Sequence, residues 1–350
     1  MNSTDMKNME QTARALVADG KGILAADESF GTVEKRFQAL GIESNEQTRS
    51  AYREMLFTTP GIGEFISGAI LFDETLRATA TNGMPFPQLL ASQGILPGIK
   101  VDGGAKEMAL APGEKITEGL DGLRERLAEY SALGARFAKW RAVITIGDGL
   151  PSQRCINANA HALASYAALC QESGLVPIVE PEVLMDGAHS LEACEAATAA
   201  TLRVTFAALV EAGVELEALL LKPNMVVPGK DAPPASVDEV ARRTVQTLSR
   251  TVPAAVPGIV FLSGGQRDRD ATARLNAMNA SGENLPWPLS FSFARALQDE
   301  AMKTWKGEAG NVAAAQQVFL HRARLNSAAR RGEYNLAMEA MEATGAQQSQ

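Results

Sequence analysis

The sequence predicts an α/β fold, a single (β/α)8 barrel of the TIM type, and three observations predict it. Eight short runs rich in Ile, Val, Leu and Phe end in polar residues. Long Ala-rich stretches with helical periodicity lie between them. Four successive run ends, Lys139, Glu180, Lys222 and Ser263, fall 41, 42 and 41 residues apart, room for one strand, one helix and two loops. Eight such units favour a closed barrel over an open doubly wound sheet.

The runs are 22–27, 68–73, 98–102, 137–141, 176–180, 218–222, 258–263 and 289–293. Among the helices, 157–173 is stopped by Gly174, 191–212 by Gly213, and 236–251 opens with a capping box. In that box Ser236 accepts from the Glu239 amide while the Glu239 carboxylate reaches back to the Ser236 amide. No Gly/Ser-rich linker interrupts the chain, so residues 1–350 are read as one domain. The tail after Tyr334, from about residue 336, offers little apolar packing and is expected to be mobile.

Composition excludes several function classes. Lys and Arg total 33 against 41 Asp and Glu, a net charge of -8, which argues against nucleic acid as a partner. Hydrophobic residues at 46% and charged residues at 21% fit an ordinary globular protein. Cys155, Cys170 and Cys194 are odd in number and show no CxxC spacing, so a reducing, cytoplasmic setting is expected. No apolar leader opens the sequence, and no stretch reads as the ~18 apolar residues of a membrane span, so no membrane partner is expected.

Side chains at the C-terminal ends of barrel strands converge on one mouth, where barrel enzymes keep their active sites. One charge at a strand end is more often a solvated or paired residue. Asp27, Lys100, Lys139, Arg141, Glu180 and Lys222 all fall there, and the set points to a site. Lys222 follows the apolar run 218–221 and precedes Pro223, so its stem should be buried with the amine facing the mouth. Burial disfavours the ammonium form, and a second cation, Lys139, disfavours it further, which is how a lysine becomes a nucleophile toward a carbonyl. Glu180 is placed to move the protons of carbinolamine formation and dehydration, although a salt bridge to Lys139 reads equally well. Glu182 is a weaker candidate.

Ser263-Gly264-Gly265-Gln266 after the seventh run, and Ala294-Arg295 opening a helix after the eighth, suit a phosphate. Glycines let backbone amides approach an anion, and arginine binds phosphate in two-pronged fashion. A second anionic group fits near Ser29, Lys35, Arg36 and Lys100, where Lys35-Arg36 also reads as a solvated helix face. His161, His189 and His321 are far apart, and His161 reads as a packed helix residue. A zinc-dependent route needs a histidine cluster. The expectation is therefore imine chemistry, with neither metal nor cofactor.

Seven motifs in order over roughly residues 10–335 carry a family resemblance: Lys21-Gly-Ile-Leu-Ala-Ala-Asp-Glu-Ser29, Gly98-Ile-Lys-Val-Asp102, Glu118-Gly-Leu-Asp-Gly-Leu123, Phe137-Ala-Lys-Trp-Arg141, Pro177-Ile-Val-Glu-Pro-Glu182, Leu220-Leu-Lys-Pro-Asn-Met225 and Phe261-Leu-Ser-Gly-Gly-Gln266. The sequence resembles class I, Schiff-base fructose-bisphosphate aldolases. The resemblance implies an imine on Lys222, proton handling by Glu180, and Asp27 acting on the C4 hydroxyl, with Lys139, Arg141 and Glu182 around the substrate. It implies that Ser263, Gly264, Gly265, Ser292 and Arg295 hold the C1 phosphate, with Ser29, Arg36 and Lys100 near the distal one. It further implies phosphorylated ketose and triose substrates and a homo-oligomer, by family habit a tetramer. Two departures stand out. Ala294 replaces the family's usual glycine, and the chain ends in Gln350 where animal members end in a tyrosine that aids enamine proton exchange. Both motivate an alternative, a non-catalytic phosphosugar-binding or scaffold barrel.

Overall fold

The computed structural model describes residues 3–341. Its barrel strands are β1 (Gly22–Ala26), β2 (Ile66–Leu71), β3 (Leu96–Lys100), β4 (Phe137–Ile144), β5 (Val176–Val183), β6 (Leu220–Leu221), β7 (Ile259–Phe261) and β8 (Leu289–Phe293). Neighbours pair in parallel, and β8 returns to β1 through the registers Ile23↔Ser292 and Leu24↔Phe293, closing the ring. Every expected run forms a strand in the expected order. β4 and β5 continue past their expected ends, to Ile144 and Val183.

Alternation along the strands sorts the core into two layers. Ile23, Ala25, Ile70, Phe137, Ile178, Leu220 and Val260 meet inside the barrel. Their neighbours Leu24, Ala69, Leu71, Val179, Leu221 and Phe261 pack outward under the helices. The Phe137 ring fills space beside Gly98, where an added Cβ would sit 2.3 Å from it. The helix Ser3–Leu16 closes the N-terminal end of the barrel by adding Met9, Ala13 and Leu16 to the inner layer. The opposite mouth is left open. Inner-face parity runs on from Ala25 to Asp27, from Phe137 to Lys139 and Arg141, from Ile178 to Glu180 and Glu182, and from Leu220 to Lys222. The charged residues therefore point inward where the apolar filling stops.

The helices show where local reading succeeds and where tertiary contacts decide. Ser152, Ser190 and Ser236 each accept from the amide three residues on, at 3.2 Å, so the first of these helices is Gln153–Glu172 and starts earlier than residue 157. Half of the capping box forms: the Glu239 carboxylate is taken instead by the guanidinium groups of Arg242 and Arg243, at 2.9 Å each. Charge-assisted bonds outcompete a neutral amide.

Helix Leu191–Glu211 is, against expectation, long and apolar enough by length and composition to cross a membrane. Its Leu202 and Phe206 pack in the barrel's outer layer, and its Cys194 joins a smaller buried cluster with Ile144 and Val183, which explains that composition. Unanticipated was an antiparallel hairpin, 105–107 with 115–117, between β3 and β4. Of the tail expected to be mobile, residues 336–341 form a 3-10 turn held through Glu339, which Arg322 binds with one nitrogen 2.8 Å from both carboxylate oxygens. The remainder lies outside the described residues.

Candidate active site

At the mouth lies a cavity of about 650 Å³. Buried in its wall is a chain of alternating charges. Lys222 Nζ lies 3.1 Å from Glu180 Oε1, Glu180 Oε2 lies 3.3 Å from Lys139 Nζ, and Lys139 Nζ lies 2.6 Å from Asp27 Oδ2. Two ammonium groups and two carboxylates balance, which is the condition for keeping ions in a dry site. Burial acts to push the Asp27 carboxyl up, but Lys139 and Lys222 outweigh it and bring it down to about 2. Burial likewise opposes the Lys139 charge, and Asp27 and Glu180 outweigh it, holding this ammonium well above the usual lysine range. Lys139 is thus matched by two carboxylates, while Lys222 has one.

On one side of this chain, Ser263, Gly264, Ser292 and Arg295 line the cavity. Gly264 has φ +47° and Gly265 φ +87°, left-handed conformations that favour glycine. Ser292 is 1% exposed and its Oγ has no hydrogen-bond partner among the described residues. Arg295 is exposed and begins helix Arg295–Trp305. Ala294 caps that helix with φ -100°, outside the left-handed region, so its methyl is carried without left-handed strain. Gly265 faces an adjoining pocket of about 260 Å³ together with Arg141, Glu182 and Lys230.

Across the cavity stand Ser29 and Lys100. Ser29 begins helix Phe30–Gln38, and its Oγ lies 3.2 Å from Thr32 Oγ1. Lys100 is ion-paired with Asp102 at 2.7 Å. Arg36 does not line the cavity: it is bound by Glu28, by Asp299 at 2.8 Å and by Gln298 at 3.4 Å. Lys35 is exposed. Arg141 lines the cavity in an ion pair with Glu182.

Sequence reasoning missed Thr32, Asp102 and Lys106, which also line the cavity. The spacing from Ser29 to Thr32 was a legible hint, because residues three apart share a helix face. His161 is exposed, with Nδ1 2.7 Å from the Asn157 carbonyl oxygen, and is not packed as expected.

A buried lysine beside a carboxylate and a charge-matched second lysine, at the mouth of a parallel barrel lined by Ser263, Gly264 and Arg295, fits a carbon–carbon lyase for phosphorylated ketoses. The family model for class I fructose-bisphosphate aldolase, the glycolytic type, matches residues 8–350. The chain belongs to the class I fructose-bisphosphate aldolases, and its activity is theirs.

Its relatives agree. A probable class 1 fructose-bisphosphate aldolase of Xylella fastidiosa is 59% identical over 331 residues, 94% of this chain and 99% of that protein. Cytosolic fructose-bisphosphate aldolase 6 of Arabidopsis thaliana is 54% identical over 315 residues, 90% of this chain and 88% of that one. The solved fructose-bisphosphate aldolase of Plasmodium falciparum, in complex with TRAP and a small-molecule inhibitor, superimposes with a TM-score of 0.94 at 49% identity. That alignment covers 96% of this chain and 97% of the other.

Proposed function

We propose that Lys222 is the imine-forming residue and that fructose 1,6-bisphosphate is cleaved on it to dihydroxyacetone phosphate and glyceraldehyde 3-phosphate. The observation that carries this reading is the 3.1 Å contact between Lys222 and Glu180, with the competing lysine, Lys139, fixed as a cation by Asp27. The amine attacks the C2 carbonyl to form a carbinolamine. Glu180, which has taken the proton that the Lys222 ammonium gives up to free its amine, protonates the departing hydroxyl, water leaves, and an iminium remains.

The iminium draws the C3–C4 bonding electrons as that bond breaks. The C4 hydroxyl proton passes to Asp27, whose carboxyl, held at about 2, is ionised at neutral pH. Glyceraldehyde 3-phosphate departs, leaving an enamine. Protonation at C3 and hydrolysis then release dihydroxyacetone phosphate and restore the amine. Tyr334 lies outside the cavity with its hydroxyl donating to Glu339 at 2.8 Å, so the C3 proton comes from another group.

Lys139 and Arg141 fit the substrate hydroxyls. Ser263, Gly264, Ser292 and Arg295 fit the C1 phosphate, and Ser29 and Lys100 flank the distal end of the cavity. Family habit supports a homo-tetramer, to be read by light scattering. The cytosolic name of the Arabidopsis relative supports a cytoplasmic location.

Borohydride reduction in the presence of dihydroxyacetone phosphate tests the assignment. Label is expected on Lys222 and should vanish in Lys222→Met. Label on Lys139 instead would overturn it. Cleavage should be unaffected by EDTA.

A further inference from the structure

Asp27 stands where its strand loses one of two neighbours. The pairing of β1 with β8 ends at Leu24↔Phe293, where β8 itself ends. On the other flank β2 runs on beside β1 through Ala25↔Ile70 and Ala26↔Leu71. The last residues of β1, with Asp27 just beyond them, thus have a ladder on one side and need a donor on the other. Gln298 supplies it, its Nε2 donating to the Ala25 carbonyl oxygen at 2.5 Å. Its Oε1 accepts from the Tyr52 hydroxyl at 2.9 Å and from Arg36 at 3.4 Å. Gln298 and Tyr52 are both 0% exposed, so loss of the amide would leave buried groups unpaired, with no water to replace it.

Gln298 belongs to the first turn of helix Arg295–Trp305, and its own amide donates to the Ala294 carbonyl oxygen at 3.0 Å. Arg295, which lines the cavity, is three residues earlier on the same turn. The helix is anchored independently of the amide by buried Ala296, Leu297, Ala301, Met302 and Trp305. One rigid turn therefore spans from the cation that fits the C1 phosphate to the strand that presents Asp27. Cleavage of C3–C4 needs the C4 hydroxyl within reach of Asp27 while that phosphate is seated, and a displacement of about 1 Å costs about hundredfold in rate. We propose that Gln298 is a positioning residue that fixes the end of β1 against the phosphate-binding helix, and so sets Asp27 for carbon–carbon cleavage without serving binding or imine formation.

The competing role is plain packing. A glutamine that only filled space would, when replaced, weaken every step alike. A residue that places Asp27 would slow the one step that uses Asp27 and spare the steps that depend on Lys222, Glu180 and the phosphate seat.

This inference rests on the proposed roles of Lys222 and Asp27, and the assays separate it from them. Gln298→Met keeps the length of the side chain and removes its donor and acceptor. Tyr52→Phe keeps Gln298 and releases the shorter contact to its Oε1. For both variants and the unmodified full chain, three quantities are measured: single-turnover release of glyceraldehyde 3-phosphate from fructose 1,6-bisphosphate, affinity for dihydroxyacetone phosphate, and the rate of borohydride trapping with dihydroxyacetone phosphate. Release should slow about tenfold to hundredfold in Gln298→Met. In Tyr52→Phe it should slow about threefold to tenfold, the worth of one neutral hydrogen bond. Affinity and trapping should stay within about twofold in both. Unchanged release in Gln298→Met, or an equal loss in all three quantities, overturns the positioning role and leaves the aldolase reading intact. Should Gln298→Met fail to fold, Tyr52→Phe decides by the same criteria. Absence of label on Lys222 in the unmodified protein overturns the Lys222 assignment, and this inference with it.

Discussion

Lys139 Nζ sits 2.6 Å from Asp27 Oδ2, and both side chains are buried at the barrel mouth. This contact sets the charge state of Asp27, the proposed general base. Lys139→Met would leave Asp27 and Glu180 as buried carboxylates sharing Lys222, so the Asp27 carboxyl should rise from about 2. The acid limb of kcat/KM should move to higher pH, and kcat should fall about hundredfold or more. Stability changes in a defined direction. A depressed carboxyl stabilises the fold above its ordinary range, and that stability is lost as pH falls toward about 2. The contribution is about 2 kcal/mol. Urea unfolding of the two proteins between about pH 5 and pH 2 should show a steeper acid loss in the unmodified protein.

Glu180 reaches both lysines, 3.1 Å from Lys222 and 3.3 Å from Lys139. Glu180→Gln keeps the shape and removes the proton carrier. We expect kcat to drop by about 10²- to 10⁴-fold. Borohydride trapping on Lys222 should still proceed, more slowly, because the amine remains. Loss of cleavage with trapping at the unmodified rate would show that Glu180 acts after imine formation only.

The inner set of the site was legible in the sequence because strand parity is a local rule. Once 218–221 is read as a strand, the direction of Lys222 follows, and the same holds for Glu180, Lys139 and Asp27. Arg36 escaped that rule. It lies on a helix, where facing is set by partners from distant segments, here Glu28 and Asp299. Lys106 escaped for a related reason, since its strand pairs only with residues 115–117 across a loop. Such a pairing has no periodic signature of its own. Glu239 shows the converse: the local motif was present, but Arg242 and Arg243 on the same helix took its carboxylate.

Near the C-terminus, Arg322 is 3% exposed and its guanidinium holds Glu339, which also accepts from Tyr334 Oη. Burial pushes the Glu339 carboxyl up, but Arg322 outweighs it and holds the group below the usual carboxylate range. Glu339→Ala leaves a buried cation whose one remaining carboxylate among the described residues is Asp268, at 3.7 Å, beside a hydrogen bond to Thr272 Oγ1 at 2.7 Å. The expected cost is about 3 kcal/mol, seen as a lower urea midpoint. Because neither residue lines the cavity, kcat/KM on fructose 1,6-bisphosphate should stay within about twofold, as expected of well-separated sites.

Ser292 separates binding from stability most sharply. Its side chain is buried on the inner face of β8, and its Oγ finds no partner among the described residues. An unpaired buried hydroxyl costs free energy, so natural structures leave one where something else completes it. Ser292 lines the cavity beside Gly264 and Arg295, and on the proposed reading its partner is the phosphate of the ligand. Ser292→Ala should therefore leave the ligand-free protein as stable as before or slightly more so, because it removes the unsatisfied group. Affinity for dihydroxyacetone phosphate should fall about tenfold, the value of one hydrogen bond to a charged group. Thermal melting with and without dihydroxyacetone phosphate reads both effects at once. The variant should match or exceed the unmodified protein without ligand and gain less when ligand is added. If Ser292→Ala melts lower without ligand, its hydroxyl serves the fold and the assignment to the phosphate fails.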